Sequence, residues 1–308
     1  MNRASLIASL TLGLLCCAGA LPVAAQTGEN EYAIFVSQRE GAAELFAINL
    51  ATRQVSQLTN TGRGHLMPAV AAGGRDLVFA AREGGSYELF TAQVGAQWRS
   101  RRPIFIGLQR LTVNTIDEVS PSISASGILV AFVTGAGIEL MTSGGGGRQT
   151  VLANDGQHRD YSPALAPDGQ QLAFISDRSG EEEIWLLQLG TSELRLLTSD
   201  AMPLGGLSWS ADGKQLAFTT ANTKTTLSGI AIADTQTGRF RVLTDSGDSS
   251  PALSARGDRL LFTSQRDGDP ELYLLNLNTG TAERLTHSAG LDDGAVFVPS
   301  PTLPSRGK

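Results

Sequence analysis

Short apolar runs recur along this chain, each closed off by Gly, Pro, Asp or Ser. The clearest set lies between Asp160 and Thr198. There a short strand from Asp160 meets a Pro167-Asp168-Gly169 turn, then the apolar run Leu172–Ile175. A polar turn, Ser176-Asp177-Arg178-Ser179-Gly180, leads to Glu183–Leu186 and to a last strand ending in Leu197-Thr198. Nothing here keeps a 3.6-residue period over a useful length, so the pattern predicts strands rather than helices.

The same pattern returns six times. Aligned on the residue within the first strand, the units fall at Pro68, Pro121, Pro163, Leu207, Pro251 and Ala295, with steps of 53, 42, 44, 44 and 44 residues. The turn after it reads Ala72-Gly73-Gly74, Ala125-Ser126-Gly127, Pro167-Asp168-Gly169, Ala211-Asp212-Gly213 and Ala255-Arg256-Gly257. Leu58-Thr59, Leu111-Thr112, Leu197-Thr198, Leu243-Thr244 and Leu285-Thr286 close five units, and Val151-Leu152 stands in that place in the third. Four short strands per unit of about 40 to 50 residues predict a β-propeller. One such sheet cannot bury both its faces, and stacking sheets radially does so.

The chain ends complete the count. Tyr32–Ser37 matches the second strand of a unit whose first is missing, and Asp292–Val298 matches a first strand with nothing after it. Joining them gives an all-β, six-bladed β-propeller of four-stranded antiparallel blades. Its ring is closed by the C-terminal strand joining the N-terminal blade, which removes an open sheet edge.

Composition sharpens the compartment. Met1-Asn2-Arg3, an apolar Leu6–Leu21 and small residues up to Ala25 read as a secretory signal, residues 1–25. The propeller is expected over 26–300, and 301–308, with Pro301, Pro304 and a basic end, as a flexible tail. This places the mature chain in the periplasm or outside the cell, without stable insertion in a membrane. Both cysteines, Cys16 and Cys17, lie in the signal, so the mature chain holds no disulfide. Leu15 before Cys16 is a poor match to a lipidation box. A net charge of −6 gives no reason to expect nucleic acid as a partner. A monomer is expected.

The recurring words, the Ser-Pro-Asp-Gly-like turns, Ser176–Gly180, Ser264-Gln265-Arg266-Asp267-Gly268 and the Leu-Thr closures, resemble the TolB-type (WD40-like) β-propeller repeat over nearly the whole mature chain. The resemblance implies a scaffold that binds a protein, peptide or other ligand of the cell envelope. It also implies a departure, since TolB carries an α/β domain before its propeller. Only a few residues separate the signal from Tyr32 here, and the family's N-terminal partner-binding element is not recognisable in Gln26–Glu31.

Three residues before each alignment point, at the start of the inner strand, stand Asp292, His65, Glu118, Asp160, Leu204 and Asp248. His65, Glu118, Asp160, Asp248 and Asp292 are thus candidate ligand-binding residues at the mouth of the central channel. Converging carboxylates with an imidazole suit a divalent cation such as Ca²⁺, or a basic peptide. The other reading is framework: the turn arginines Arg39, Arg82, Arg178 and Arg266 fall at the same end and could pair with the acids. Leu204's unit lacks the Arg as well as the acid, whereas Glu118's unit keeps the acid and has Thr134-Gly135-Ala136. His158 and His287 fall in loops at that end, out of register with His65. The acids and histidines together admit a metal-dependent carbohydrate-active enzyme, a propeller lyase, as the alternative function.

The long second step adds Gly95–Leu108, with Trp98, Arg99, Arg101 and Arg102 as a possible partner loop, or a solvated hairpin. Gly144–Gly147 lacks the Lys-Ser/Thr and the helix of a phosphate loop and is expected as a turn. No Gly-x-Ser-x-Gly elbow occurs, and no catalytic nucleophile is assigned.

Overall fold

A computed structural model of the chain describes residues 31–96, 103–221 and 227–298. The expected signal and tail, and the Trp98 loop, lie outside these. The described residues form 24 strands in six four-stranded antiparallel sheets and no helix. Blade one holds β1 (Tyr32–Ser37), β2 (Glu44–Asn49) and β3 (Val55–Gln57). Blade two holds β4 (His65–Val70), β5 (Asp76–Glu83), β6 (Ser86–Ala96) and β7 (Pro103–Arg110). Blade three holds β8 (Val119–Ile123), β9 (Leu129–Thr134), β10 (Gly137–Thr142) and β11 (Gln149–Ala153). Blade four holds β12 (Asp160–Leu165), β13 (Gln171–Ser176), β14 (Glu183–Gln188) and β15 (Glu193–Leu196). Blade five holds β16 (Pro203–Trp209), β17 (Gln215–Ala221), β18 (Ser228–Asp234) and β19 (Phe240–Val242). Blade six holds β20 (Asp248–Leu253), β21 (Arg259–Ser264), β22 (Glu271–Asn276) and β23 (Ala282–Arg284). The final strand, β24 (Asp292–Val298), returns to blade one and pairs with β1, Tyr32 opposite Val298 and Ser37 opposite Asp292.

Burial on both faces explains the unbroken apolar runs. The middle of every second strand carries a phenylalanine, Phe35, Phe79, Phe132, Phe174, Phe218 and Phe262, and all six are fully buried. Along β1, Ile34 and Val36 face blade two while Ala33 and Phe35 face blade six. The same split recurs at each blade, so the core is six separate apolar layers, one per blade interface. A strand buried on both faces has no polar face to alternate with. At the seam, Arg53 Nη2 reaches Glu283 Oε1 at 2.6 Å, and Glu31 pairs with Arg259, whose guanidinium lies over the Phe297 ring.

The turns do what their sequence implies. Gly169 donates its N–H to Ala166 O at 2.9 Å with φ +68°, and Gly213, at φ +70°, repeats the arrangement. Only glycine takes this left-handed region freely. The Leu-Thr words lie just past the last strands rather than within them. Their threonines are acceptors, all buried but the half-buried Thr244: Leu45, Leu89, Ile184, Ile230 and Leu272 donate backbone N–H to Thr59, Thr112, Thr198, Thr244 and Thr286 Oγ1 at 2.8–3.1 Å. Among the extra residues of blade two, Gly95–Ala96 and Pro103–Leu108 extend strands β6 and β7.

Inner strands from all six blades line one cavity of about 490 Å³, with Pro68, Pro121, Pro163, Leu207, Pro251 and Val296 in its wall. Each inner strand is interrupted by a bulge at its alignment residue. The residue before it adopts positive φ in every blade, at Met67, Ser120, Ser162, Gly206, Ser250 and Gly294. For the four that are not glycine this costs about 1 kcal/mol each. The bulge turns the strand toward the axis, as extra residues in strands do.

Candidate functional site at the channel mouth

The mouth is the end of the channel where inner strands begin. Sequence and pairing place one repeated unit there. In blade four, Asp160 lies opposite Ser176 in register. Arg178, two residues on, donates Nε to Ser176 Oγ at 2.9 Å and Nη2 to both Asp160 oxygens at 2.7 and 2.8 Å. Its guanidinium stacks on Phe174, 5.0 Å from the ring centre. Blade six repeats this with Ser264, Arg266, Asp248 and Phe262, the Nη2–carboxylate distances both 3.0 Å. Blade one repeats it across the seam with Ser37, Arg39, Asp292 and Phe35, at 2.7 Å. Burial pushes the Asp292 carboxyl above the usual aspartate range, against the pull of Ser37 and Arg39.

Blade three reaches the same end differently. Glu118 is bound at 2.6 Å by Arg148, which precedes β11 and arrives from the opposite end of the blade. Arg148 also binds Glu139 and stacks on Phe132. Burial opposes ionisation of Glu139, but the Arg148 and Thr134 hydrogen bonds prevail and hold it below the usual range. Every acid of the predicted ring therefore carries an arginine, and the Asp248, Asp292 and Glu118 side chains are fully buried under theirs.

Blades two and five, opposite each other in the ring, break the unit. His65 is buried against Phe79, with its Nε2 2.7 Å from Thr61 Oγ1 and 3.2 Å from Glu44 Oε2. Burial lowers its pKa, against Glu44 and with Arg63, so the ring is neutral near pH 7. In blade five, Thr220 takes the register position of Ser37, Ser176 and Ser264, and its Oγ1 donates to Ala201 O at 2.5 Å. Leu204 stands exposed beside Met202, and Met67 is exposed in the channel wall of blade two. The imidazole gives a pH signature. A group whose folded pKa is depressed stabilises above its unfolded value and loses that contribution as pH falls. Wild-type stability is therefore expected to drop between about pH 7 and 5, and His65→Gln to flatten that part of the curve. Chemical denaturation across pH checks this, and equal slopes in both proteins would contradict it.

A second repeated set of acids went unremarked in the sequence. Glu44, Glu183 and Glu271 open the third strands of blades one, four and six, Glu88 lies near the start of that of blade two, and all are buried. Glu44 accepts backbone N–H from Thr61 and Gly62 at 2.6 Å, Glu88 from Asn114 at 2.9 Å and Glu271 from Ser288 at 2.6 Å. Arg110 and Arg284 bind Glu88 and Glu271 at 3.0 and 2.9 Å. They pin the loops leading to the next blade. The repeated Glu-Leu and Glu-Ile words were the available signal.

His158 sits 3.9 Å from Asp177 in the loop before β12, and Arg82 stacks over Tyr87. The geometry brings the acids to arginines, not to one another. Among the described residues, no group of three or more His, Cys, Asp or Glu side chains is placed to hold a metal ion. Such a rim is chemically a rigid, charge-paired collar with two apolar poles.

No family model matches the chain. A TolB homolog of Chlorobium luteolum (strain DSM 273 / BCRC 81028 / 2530) is 30% identical over 282 residues, covering 86% of this chain and 60% of that protein. The Tol-Pal system protein TolB of Anaeromyxobacter dehalogenans (strain 2CP-C) is 34% identical over 106 residues, 34% of this chain and 24% of that one. The chain thus spans less than two thirds of these relatives. TolB from Acinetobacter baumannii superposes with a TM-score of 0.72 at 18% identity, over 88% of this chain and 67% of that one. An oligogalacturonate lyase in complex with manganese does so at 0.54 and 16%, over 76% and 71%. At such identities the structural likeness shows the fold alone.

Proposed function

From the premise that this chain is a TolB-type β-propeller repeat protein, we propose that it is a binding scaffold of the cell envelope. In this reading it is exported to the periplasm and presents the channel mouth to an envelope protein or peptide. The observation that carries it is the collar. Asp160, Asp248, Asp292 and Glu118, each tied to an arginine, fix the inner-strand starts, while blades two and five leave Met67, Met202 and Leu204 uncovered on opposite sides. Exposed apolar side chains on a rigid, hydrogen-bonded frame suit partner docking, because little entropy is lost on binding. His65 and the four acids act as the frame that positions this surface. The lyase reading has fold likeness alone behind it.

The test is site-specific photo-crosslinking in the envelope fraction. A crosslinker at Leu204 or Met67 is expected to capture one protein, and the same probe at Val242, exposed on the outer edge, is not. Equal labelling at all three positions, or none at the mouth, would remove the proposal.

A further inference from the structure

Blade two has an outer edge unlike the others. The outermost strands of the other five blades are three to five residues long, whereas β7 has eight. It is the last strand of its sheet, with one side unpaired. Ile104, Ile106 and Leu108 are exposed along it, while Phe105 between them packs inward onto Phe79 at 6.2 Å between ring centres. A long apolar edge is the kind of surface that soluble proteins blunt with charge. The outer strands of blades four, five and six carry Glu193 and Arg195, Arg241, and Glu283 and Arg284. From Pro103 to Gln109 this edge carries none, and Arg110 is already bound to Glu88 at 3.0 Å.

The backbone says which groups are open. Val94 of β6 donates its N–H to Arg75 O at 2.6 Å, on the β5 side. A strand residue's N–H and C=O point the same way, so Val94 offers neither to its partner Phe105. Phe105 therefore turns its own N–H and C=O to the free edge. A residue placed opposite its own copy across a two-fold axis exchanges both bonds with it. With Phe105 on that axis, Ile104 of one copy lies opposite Ile106 of the other, so the exposed apolar side chains match. The short sequence Ile104-Phe105-Ile106 reads the same in both directions, as an isologous contact requires. A bulge at Gly107 (φ +64°) ends the straight stretch, so the pairing is short.

We infer that β7 is a self-association edge, where two copies of this chain pair antiparallel about Phe105 and join their second blades into one continuous sheet. The contact lies on the outer rim and leaves both channel mouths free. It is independent of the ligand proposed above. A contact this small belongs to the weak, transient class.

Sedimentation velocity on the mature chain from about 10 µM to 1 mM is expected to follow a monomer–dimer equilibrium. Exchange of the Phe105 amide should slow as concentration rises. Ile106→Lys, and separately Ile104→Lys, should weaken the dimer by about tenfold or more, since each lysine then faces an isoleucine of the other copy and the two like charges lie diagonally across the axis. Val242→Lys on the outer edge of blade five should leave it unchanged, and circular dichroism verifies that each variant is folded. A monomer throughout, a dimer indifferent to both lysines, or growth beyond two copies overturns the inference.

Discussion

Replacing Arg266 by methionine is expected to destabilise the propeller by about 3 to 4 kcal/mol, far more than an exposed ion pair contributes. The methionine still covers Phe262, so most of the packing survives. What is lost is the partner of a carboxylate with no solvent contact, since both Asp248 oxygens lie 3.0 Å from Arg266 Nη2. A buried charge without its counter-ion costs more than the pair contributed. Two further outcomes separate this from simple loss of packing. Acidifying the solution protonates the stranded carboxylate and should shrink the deficit. Adding Asp248→Asn to the same protein should recover part of it. Urea unfolding of the single and double variants at two pH values measures both, and a double variant less stable than the single one would refute the argument.

Phe218→Ala should cost about 3 to 5 kcal/mol, the range for truncating a fully buried aromatic. Phe218 carries no arginine, so its loss is one of packing alone. It fills the interface between blades four and five, edge-on to Phe240 at 5.9 Å. Its neighbours are held by two rigid sheets and cannot collapse into the space. Val242→Ala, on the exposed edge of the same blade, should change stability by less than about 0.5 kcal/mol. Calorimetry on the pair gives the comparison. If the two variants melt together, the six phenylalanines are not the keystones of the layers.

Much of this was legible in the residues. The propeller followed from the repeat because each blade repeats the same physical problem, two apolar faces to cover. The Asp–Arg pairs of blades one, four and six were open to reading for a simpler reason: each arginine lies in the turn two residues after the serine that faces the acid across the ladder. Arg148 was not, because it reaches Glu118 from the far end of its blade, thirty positions away. The buried glutamates were hidden by their type, since Glu at a strand start reads as a solvated residue. The left-handed residues of the channel wall were hidden too. Ser-Pro does not announce positive φ, and only Gly206 and Gly294 hinted at it. Blade two's extra length was read as a partner loop or a solvated hairpin, and its described part is two lengthened, paired strands. The role of Gly95 was not legible: it makes room for Ile106, whose Cδ1 would lie 2.5 Å from any Cβ there.

The join between β24 and β1 has a mechanical side. Tyr32 and Val298 are neighbours in the ladder, at the same end of the two strands. A pull applied between these points would open the pairs one after another, like a zipper, rather than load them together in shear. Glu31–Arg259 and Arg53–Glu283 tie blade one to blade six beside it and do not cross that ladder. The ring is therefore strongest against heat, which must disrupt whole layers, and weakest against a tug on its own two ends.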